Sequence, residues 1–526
     1  MVTRTISTIV AAGLAVASMF APNATKADER PAIVVAVADN PPTLEPGKEM
    51  SNVGTRVVYS VFDTLIRRDF LSSDDAGGAK LVPSLAASWK RIDDRTLEVK
   101  LRDDVTFHNG AKLTADDIVF TFSPERLTGP KSPLPQGRAY FGVLEKVEAI
   151  DPLSVRFTTK APDPLLEQRL ASWASWVVNK KDWLEKAKGE AFARFPVGTG
   201  PYKLDEYRAD EYIRLTAFDD YFGGKPTAAS VTFRKVPEPA ARVAGLVSGE
   251  FDIVTNVAPD QIAQINSYDD IETRSVVLAN SHVLVYNTDH PVLKDKRVRQ
   301  ALNLAIDRKL LVDALWDGKA VVPNGHQYPE YGDMYQADRP GFAYDPEKAR
   351  QLLEEAGYNG ETIVYSTEPN YYLNALPAAQ AILEMWKAVG INAELNVAED
   401  IDNLPNDDLM VRNWSNSTRY PDPVGALWNS WGSYGSAQKT WQSWAPEEFN
   451  KIGRELETTS EHAKRFTLAK QLMDSWEDDA PGTILYQPLE TYGVRKSLKW
   501  QPYTFYYMDL RPYNLVDEAS AARATQ

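Results

Sequence analysis

Residues 81–122 read LVPSLAASWKRIDDRTLEVKLRDDVTFHNGAKLTADDIVFTF, and the order of signals in this stretch decides the fold. Leu97, Val99 and Leu101 alternate with Glu98, Lys100 and Arg102. One face is therefore apolar at period two, which predicts a half-buried strand. Asp93-Asp94 before it and Asn109-Gly110 after it are turn chemistry. Thr114, with Asp117 three residues on, predicts a capping box that opens a helix carrying Ile118, Val119 and Phe122.

Outward from this stretch, Pro31 to Ala38 reads as a strand and Val57 to Ile66 as a helix. Pro130 to Gly137 reads as a loop. Residues 196–202, PVGTGPY, predict a glycine turn entering a strand, with the glycines as backbone turn positions. A phosphate-binding loop is the alternative there, but the Lys-Ser/Thr that completes such a loop is missing. Ser281 to Thr288 predicts a strand. Val298, Ala301, Leu302, Ala305 and Ile306 then fall on one helical face. Asp345-Pro346 caps a further helix that stops at Gly357. The last ten residues, DEASAARATQ, read as a frayed tail.

The chain has 526 residues, enough for two or more domains. Residues 1–27 predict a cleaved secretory signal: Arg4 gives a positive start, Ile6 to Ala21 is apolar, and Thr25-Lys26-Ala27 suits the peptidase. With no cysteine, disulfides and a lipid anchor on cysteine are both excluded. The expected location is the periplasm of a Gram-negative cell. Net charge is −15, and loss of Arg4 and Lys26 with no acid takes it to −17. An acidic, evenly mixed surface argues against nucleic-acid binding, which needs basic patches. It leaves room for a small anionic ligand held by a local field.

The 81–122 stretch resembles the signature of the family 5 solute-binding proteins, the peptide, nickel and opine receptors of bacterial ABC importers. The matching residues are Leu85-Ala86-Ala87-Ser88-Trp89, Phe107-His108-Asn109-Gly110 and Thr114-Ala115-Asp116-Asp117-Ile118. PVGTGPY at 196–202, FDDYFGGKP at 218–226, LVSGEFDI at 246–253 and the run from Asp295 to Arg308 continue the resemblance, which spans about residues 33 to 512. It implies a two-lobed α/β periplasmic binding protein: a type II Venus flytrap, in the large form with an inserted domain. Lobe one is expected from 28–51, 190–279 and 485–526, the inserted domain from 52–189, and lobe two from 280–484. The whole chain also looks similar to agrocinopine-type opine receptors.

Enzyme signatures are scarce. The five histidines, His108, His282, His290, His326 and His462, form no His-Glu-x-x-His and no i,i+4 pair. No Gly-x-Ser-x-Gly elbow is present. The expectation is a receptor without catalytic, metal or cofactor sites. Its partners would be a small-molecule ligand and the transmembrane subunits of an ABC permease, with the receptor itself a monomer.

The stretch 413–431, NWSNSTRYPDPVGALWNSW, carries the ligand argument. In peptide-binding relatives this region resembles G-W-x-x-D-Y-x-x-P, whose Asp meets the peptide ammonium. Counting back from Pro423 places Arg419 at that position. An arginine repels an ammonium and offers an anion a bidentate fork. The alternative is that Arg419 pairs with Asp422 or another acid outside the site. Trp414 and Tyr420 are candidate aromatic walls. Ser415, Asn416, Ser417 and Thr418 supply neutral donors and acceptors, four in a row that favour a ligand with many hydroxyls, and a plain polar loop is the alternative for them. The inferred architecture also brings Tyr59, Asn280 and His282 beside the cleft. These residues point to an anionic sugar conjugate or opine, such as a sugar phosphodiester. An oligopeptide receptor is the runner-up, metal-chelate or haem uptake comes third, and a secreted hydrolase is the alternative of another class.

Overall fold

A computed structural model describes residues 28–72, 77–134, 137–208, 210–369, 371–405 and 409–517. The expected signal at 1–27 and all but the first residue of the expected tail lie outside these.

Thr96–Leu101 forms the predicted strand, with Leu97, Val99 and Leu101 buried. It lies between Ala86–Asp93 and Ser154–Thr159 in a four-stranded antiparallel sheet completed by Leu144–Asp151. Asn109 accepts the Ala111 N–H at 3.0 Å, and Gly110 takes a positive φ of 82°. The Asp117 carboxylate accepts both the N–H and the hydroxyl of Thr114 at 3.0 Å, closing the capping box on the helix Ala115–Thr121. Ile118 is buried as expected, Val119 is only half-buried, and Phe122 packs from just beyond the helix end.

Ala32–Val37 runs parallel to both Ser230–Lys235 and Ile253–Val254, inside a seven-stranded sheet. Covered on both faces, it reads as a continuous apolar run rather than an alternating one. One hydrophobic core joins this sheet to the four-stranded one, from Ile33 and Val231 through Leu97 to Phe157. Together they make the first lobe. The second lobe is built on a five-stranded sheet in the order Ala393–Val397, Ile363–Thr367, Val411–Ser417, Asn280–Tyr286, Gly482–Tyr486. Separate cores cover its two faces.

The chain passes between the lobes twice. Ile271–Val277 belongs to the first lobe and Asn280–Tyr286 to the second, while Gly482–Tyr486 and Leu489–Arg495 make the return. The two passages lie side by side, and Leu278 donates its N–H to Pro488 O at 3.0 Å. This is the two-lobed type II arrangement.

Some elements end elsewhere than their local pattern suggests. The helix expected over Val57 to Ile66 spans Gly54–Val61, and Ile66–Arg68 is a strand. Phe62 turns extended because the next residue is claimed by tertiary contacts. The Asp63 carboxylate takes the Thr199 hydroxyl at 3.0 Å and the Arg511 guanidinium at 2.7 Å. Gly198 and Gly200 do not need positive φ. They are needed for close approach, since a Cβ on Gly198 would sit 2.0 Å from Val61 O and one on Gly200 2.5 Å from Ser60 O. The helix carrying Val298 and Leu302 stops at Leu304, leaving Ala305 and Ile306 buried beyond its end. Asp307 then caps a new helix by accepting the Leu310 N–H at 2.9 Å. Pro346–Ala356 has both predicted ends, with Asp345 accepting the Lys348 N–H and Gly357 at φ 70°.

Candidate functional site

The Val411–Ser417 strand pairs antiparallel with Asn280–Tyr286 and parallel with Ile363–Thr367. Residues opposite each other share a face. Asn280 faces Ser417, His282 faces Ser415 and Leu284 faces Asn413, so Asn280, His282, Asn413, Ser415 and Ser417 line one side. Trp414 and Asn416 point the other way.

At the end of the first side the two lobes meet. Asn280 Nδ2 donates to Ser415 Oγ at 2.9 Å and to Tyr506 OH at 3.1 Å, and Ser417 Oγ donates to Asn280 Oδ1 at 3.2 Å. Asn52, from the first lobe, reaches both serines at 3.3 and 3.4 Å. The first lobe thus sets Asn52 and Tyr506 against three of the predicted residues, Asn280, Ser415 and Ser417.

Arg419 follows the strand. Its backbone N–H is fixed by Gly425 O at 2.8 Å. Its guanidinium lies over the Trp173 ring of the first lobe, 4.0 Å from the centroid, a cation–π contact across the lobes. Its charge is felt by the Tyr140, Tyr328 and Tyr507 phenols around it. Among the described residues Arg419 makes no ion pair, and its Nε is buried without a hydrogen-bond partner. Three acids, Asp422, Asp163 and Glu457, have cation partners of their own. Asp422 takes Arg465 at 2.6 Å and the Val424 N–H at 2.9 Å, while Asp163 and Glu457 share Arg169.

The other predicted residues sit around this centre in supporting places. Tyr59 stacks on Tyr507 at 4.4 Å and meets Trp176 edge-on, forming an aromatic wall of the first lobe. Burial pushes its phenol up to about 12. The Thr418 hydroxyl donates to Tyr420 O at 2.8 Å, tightening the turn that presents Arg419. Tyr420 is fully buried beneath the Arg169 guanidinium, and the ion-paired Asp422 anchors the same turn. Trp414 packs edge-on against Trp441 and Trp431 in the core behind the sheet, away from the Asn280 row. His282 faces inward and stacks on Tyr372, with ring centroids 3.5 Å apart. Burial pushes its pKa down to about 3, so the ring is neutral.

Several residues here were not singled out from sequence: Asn52, Trp173, Tyr506, Tyr507 and Glu330. Burial pushes the Glu330 carboxyl up to about 7 against the opposing field of Arg68, and its Oε2 has no hydrogen-bond partner among the described residues. The consecutive aromatics Phe505-Tyr506-Tyr507 were the available signal, but nothing local said which way they faced. Among the described residues no group of His, Asp and Glu is arranged to hold a metal ion, and no helix is long and apolar enough to cross a membrane.

The two lobes thus meet at a polar, aromatic-walled centre. The chain belongs to the bacterial extracellular solute-binding proteins, family 5 Middle, whose pattern matches residues 80–438. It is 27% identical to the dipeptide-binding protein of Escherichia coli (strain K12) over 451 residues, covering 80% of this chain and 84% of that protein. In fold it is similar to the periplasmic binding protein DppA from Helicobacter pylori in complex with the peptide STSA. That match has TM-score 0.82 and 21% identity, covering 93% of this chain and 98% of that one. It is similar too to AgaA from A. tumefacien R10 in complex with agropinic acid, with TM-score 0.80 and 22% identity over 93% and 99% of the two chains. The protein is thus a solute-binding receptor of an ABC importer, and its relatives are solute-binding proteins rather than enzymes.

Proposed function

We propose that this receptor captures a small polar ligand bearing an anion, an anionic sugar conjugate or opine such as a sugar phosphodiester. It acts as a free periplasmic monomer, cleaved after Ala27, and delivers the ligand to its permease. The observation that carries the reading is Arg419, a cation with no acid partner among the described residues, stacked on Trp173 where the lobes meet. A ligand bridging both lobes binds the closed form better and so shifts the open–closed population. An anion at Arg419 would gain a charged hydrogen bond, worth about 1.5–3 kcal/mol. The second reading is an oligopeptide receptor, favoured by the similarity to dipeptide-binding proteins.

The test is a native mass spectrum of the purified protein with whatever it carries. The expected adduct is an anion with several hydroxyls, absent from Arg419→Ala. A peptide adduct in both proteins would overturn the reading in favour of the second.

A further inference from the structure

The chain contains Asn-Gly three times, at Asn109-Gly110, Asn324-Gly325 and Asn359-Gly360. Asparagine is a thermolabile residue. A following glycine has no Cβ, which leaves its backbone nitrogen open to the asparagine side chain. Sequence makes the three sites alike, and the fold makes them different.

Asn324 is locked. Its Nδ2 donates to Gln336 O and Ala337 O at 3.0 Å and to Arg339 O at 3.1 Å. Its Oδ1 accepts the Gln327 amide and the Tyr335 hydroxyl, each at 2.9 Å. Gly325 is buried, and a Cβ on it would lie 2.9 Å from Arg339 Cδ. Asn109 is exposed, but the Gly110 N–H is already donated to Phe107 O at 2.8 Å, so deprotonating it would break that bond.

Asn359 has neither restraint. It lies in the turn between the helix Pro346–Ala356 and the strand Ile363–Thr367, and Asn359, Gly360 and Glu361 are all exposed. Among the described residues the Gly360 N–H has no backbone acceptor. Gly360 sits at φ 88°, and a Cβ there would meet nothing within 4 Å. The side chain is held by one surface bond, from Nδ2 to Gly357 O at 2.9 Å. Water replaces such a bond at little net cost.

We propose that Asn359 is a modification site, where spontaneous deamidation through Gly360 turns a neutral amide of the second lobe into a carboxylate. The Gly360 nitrogen gives up its proton and attacks the side-chain carbonyl carbon. A new C–N bond closes a five-membered imide, the bond to the side-chain nitrogen breaks, and ammonia leaves. Water then opens the imide at one carbonyl or the other, giving aspartate or isoaspartate. In sum, an amide and a water become a carboxylate and an ammonium ion.

The product fits its surroundings worse than asparagine does. The Asn359 N–H is donated to the Glu361 carboxylate at 2.9 Å, so a second carboxylate arrives beside the first. It also stands at the C-terminal, negative end of the Pro346–Ala356 helix and no longer donates to Gly357 O. Isoaspartate adds a methylene to the main chain of a turn that holds the edge of the sheet. Asn392 donates its side chain to Gly360 O at 3.1 Å and its N–H to the Tyr358 hydroxyl at 3.0 Å, just before the edge strand Ala393–Val397.

Peptide mapping by mass spectrometry of the whole protein, aged at pH 6 and at pH 9, tests this beside three free peptides spanning the Asn-Gly pairs. Asn359 should convert at nearly the rate of its own peptide, and faster at pH 9, where more of the nitrogen is deprotonated. Asn324 should lag its peptide by about tenfold or more, since breaking its bonds adds at least ~1.4 kcal/mol to the barrier. Asn109 should fall between. Asn359→Gln, which would need a six-membered ring, should stop the conversion at this position. Asn359→Asp should melt below the fresh protein, as the aged protein does. Asn359 slowed against its peptide as much as Asn324 would overturn the site, and so would conversion confined to Asn109. An aged, converted protein and Asn359→Asp that both melt with the fresh protein would overturn the loosening of the sheet edge.

Discussion

Arg169 Nη2 lies 2.6 Å from Glu457 Oε1, and this buried ion pair ties the first lobe to the second. Each charge also has partners in its own lobe. Arg169 keeps Asp163 at 3.0 Å and Tyr140 O at 3.2 Å, while Glu457 keeps the Trp428 indole at 2.9 Å and the Tyr434 hydroxyl at 2.8 Å. Breaking a buried pair is costly mainly because a lone charge is left behind. Here neither is left alone, so the pair can part and re-form as the lobes move.

Glu457→Gln should therefore favour the open form without unfolding the protein. The lost charged hydrogen bond is worth about 1.5–3 kcal/mol. Small-angle scattering of the ligand-free variant should give a larger radius of gyration than wild type. Identical curves would mean that this contact does not govern closure.

Arg419→Ala should separate affinity from stability. The free protein loses only the stacking on Trp173, worth about 0.5–1 kcal/mol, because no acid is left unpaired. Ligand affinity should fall on the order of a hundredfold, since each ~1.4 kcal/mol is a factor of ten. Arg419→Lys keeps the charge, loses the fork and should fall between. Thermal melts beside titrations with the ligand recovered from the protein check this. A large drop in melting temperature with unchanged affinity would make Arg419 structural.

His108 should make stability depend on pH. Its Nε2 donates to Gly200 O at 2.9 Å and its Nδ1 accepts the Gly198 N–H at 3.3 Å, so the neutral ring is fully used. Burial pushes its pKa down to about 4, below the ~6.5 of an unfolded histidine. As pH falls below ~6.5 the unfolded chain takes the proton first. The stability from this site is therefore full above ~6.5 and is lost as pH falls toward 4, by up to about 1.4 kcal/mol per unit. Urea midpoints at pH 7, 6 and 5 should converge for wild type and His108→Gln. Parallel profiles would contradict the assignment.

Gly198→Ala should destabilise the first lobe by about 1–3 kcal/mol or more, because the new methyl meets the Val61 carbonyl. Gly110→Ala is the contrast: its Cβ would meet open space, and only the positive φ penalises it, at about 1–2 kcal/mol. Melting temperatures of the two variants should rank in that order, and the reverse order would refute the close-approach account.

The parts of this fold legible in the sequence are those where local chemistry and tertiary contacts agree. Leu97, Val99 and Leu101, the Thr114–Asp117 box and the Asp345–Gly357 helix are of this kind. The helix over Val57 to Ile66 ends early because Asp63 is claimed by Thr199 and Arg511, 136 and 448 residues away. In the site, residue type pointed to Ser415 and Ser417, the family register to Arg419 and the inferred architecture to Asn280, and these four gather where the lobes meet. Trp414 carried the same aromatic signal, but strand alternation turns it into the core. The Arg169–Glu457 pair, 288 residues apart, had no local trace at all.

The hydrogen bond from Leu278 to Pro488 has a consequence for how the gene could be cut. The chain leaves for the five-stranded sheet and returns from it at neighbouring points, so everything between residues 279 and 487 is one continuous loop-out whose ends touch. That segment carries all five strands of its sheet. It can be excised as a single module, and a linker of a few residues would rejoin the remainder without reordering any strand that stays behind.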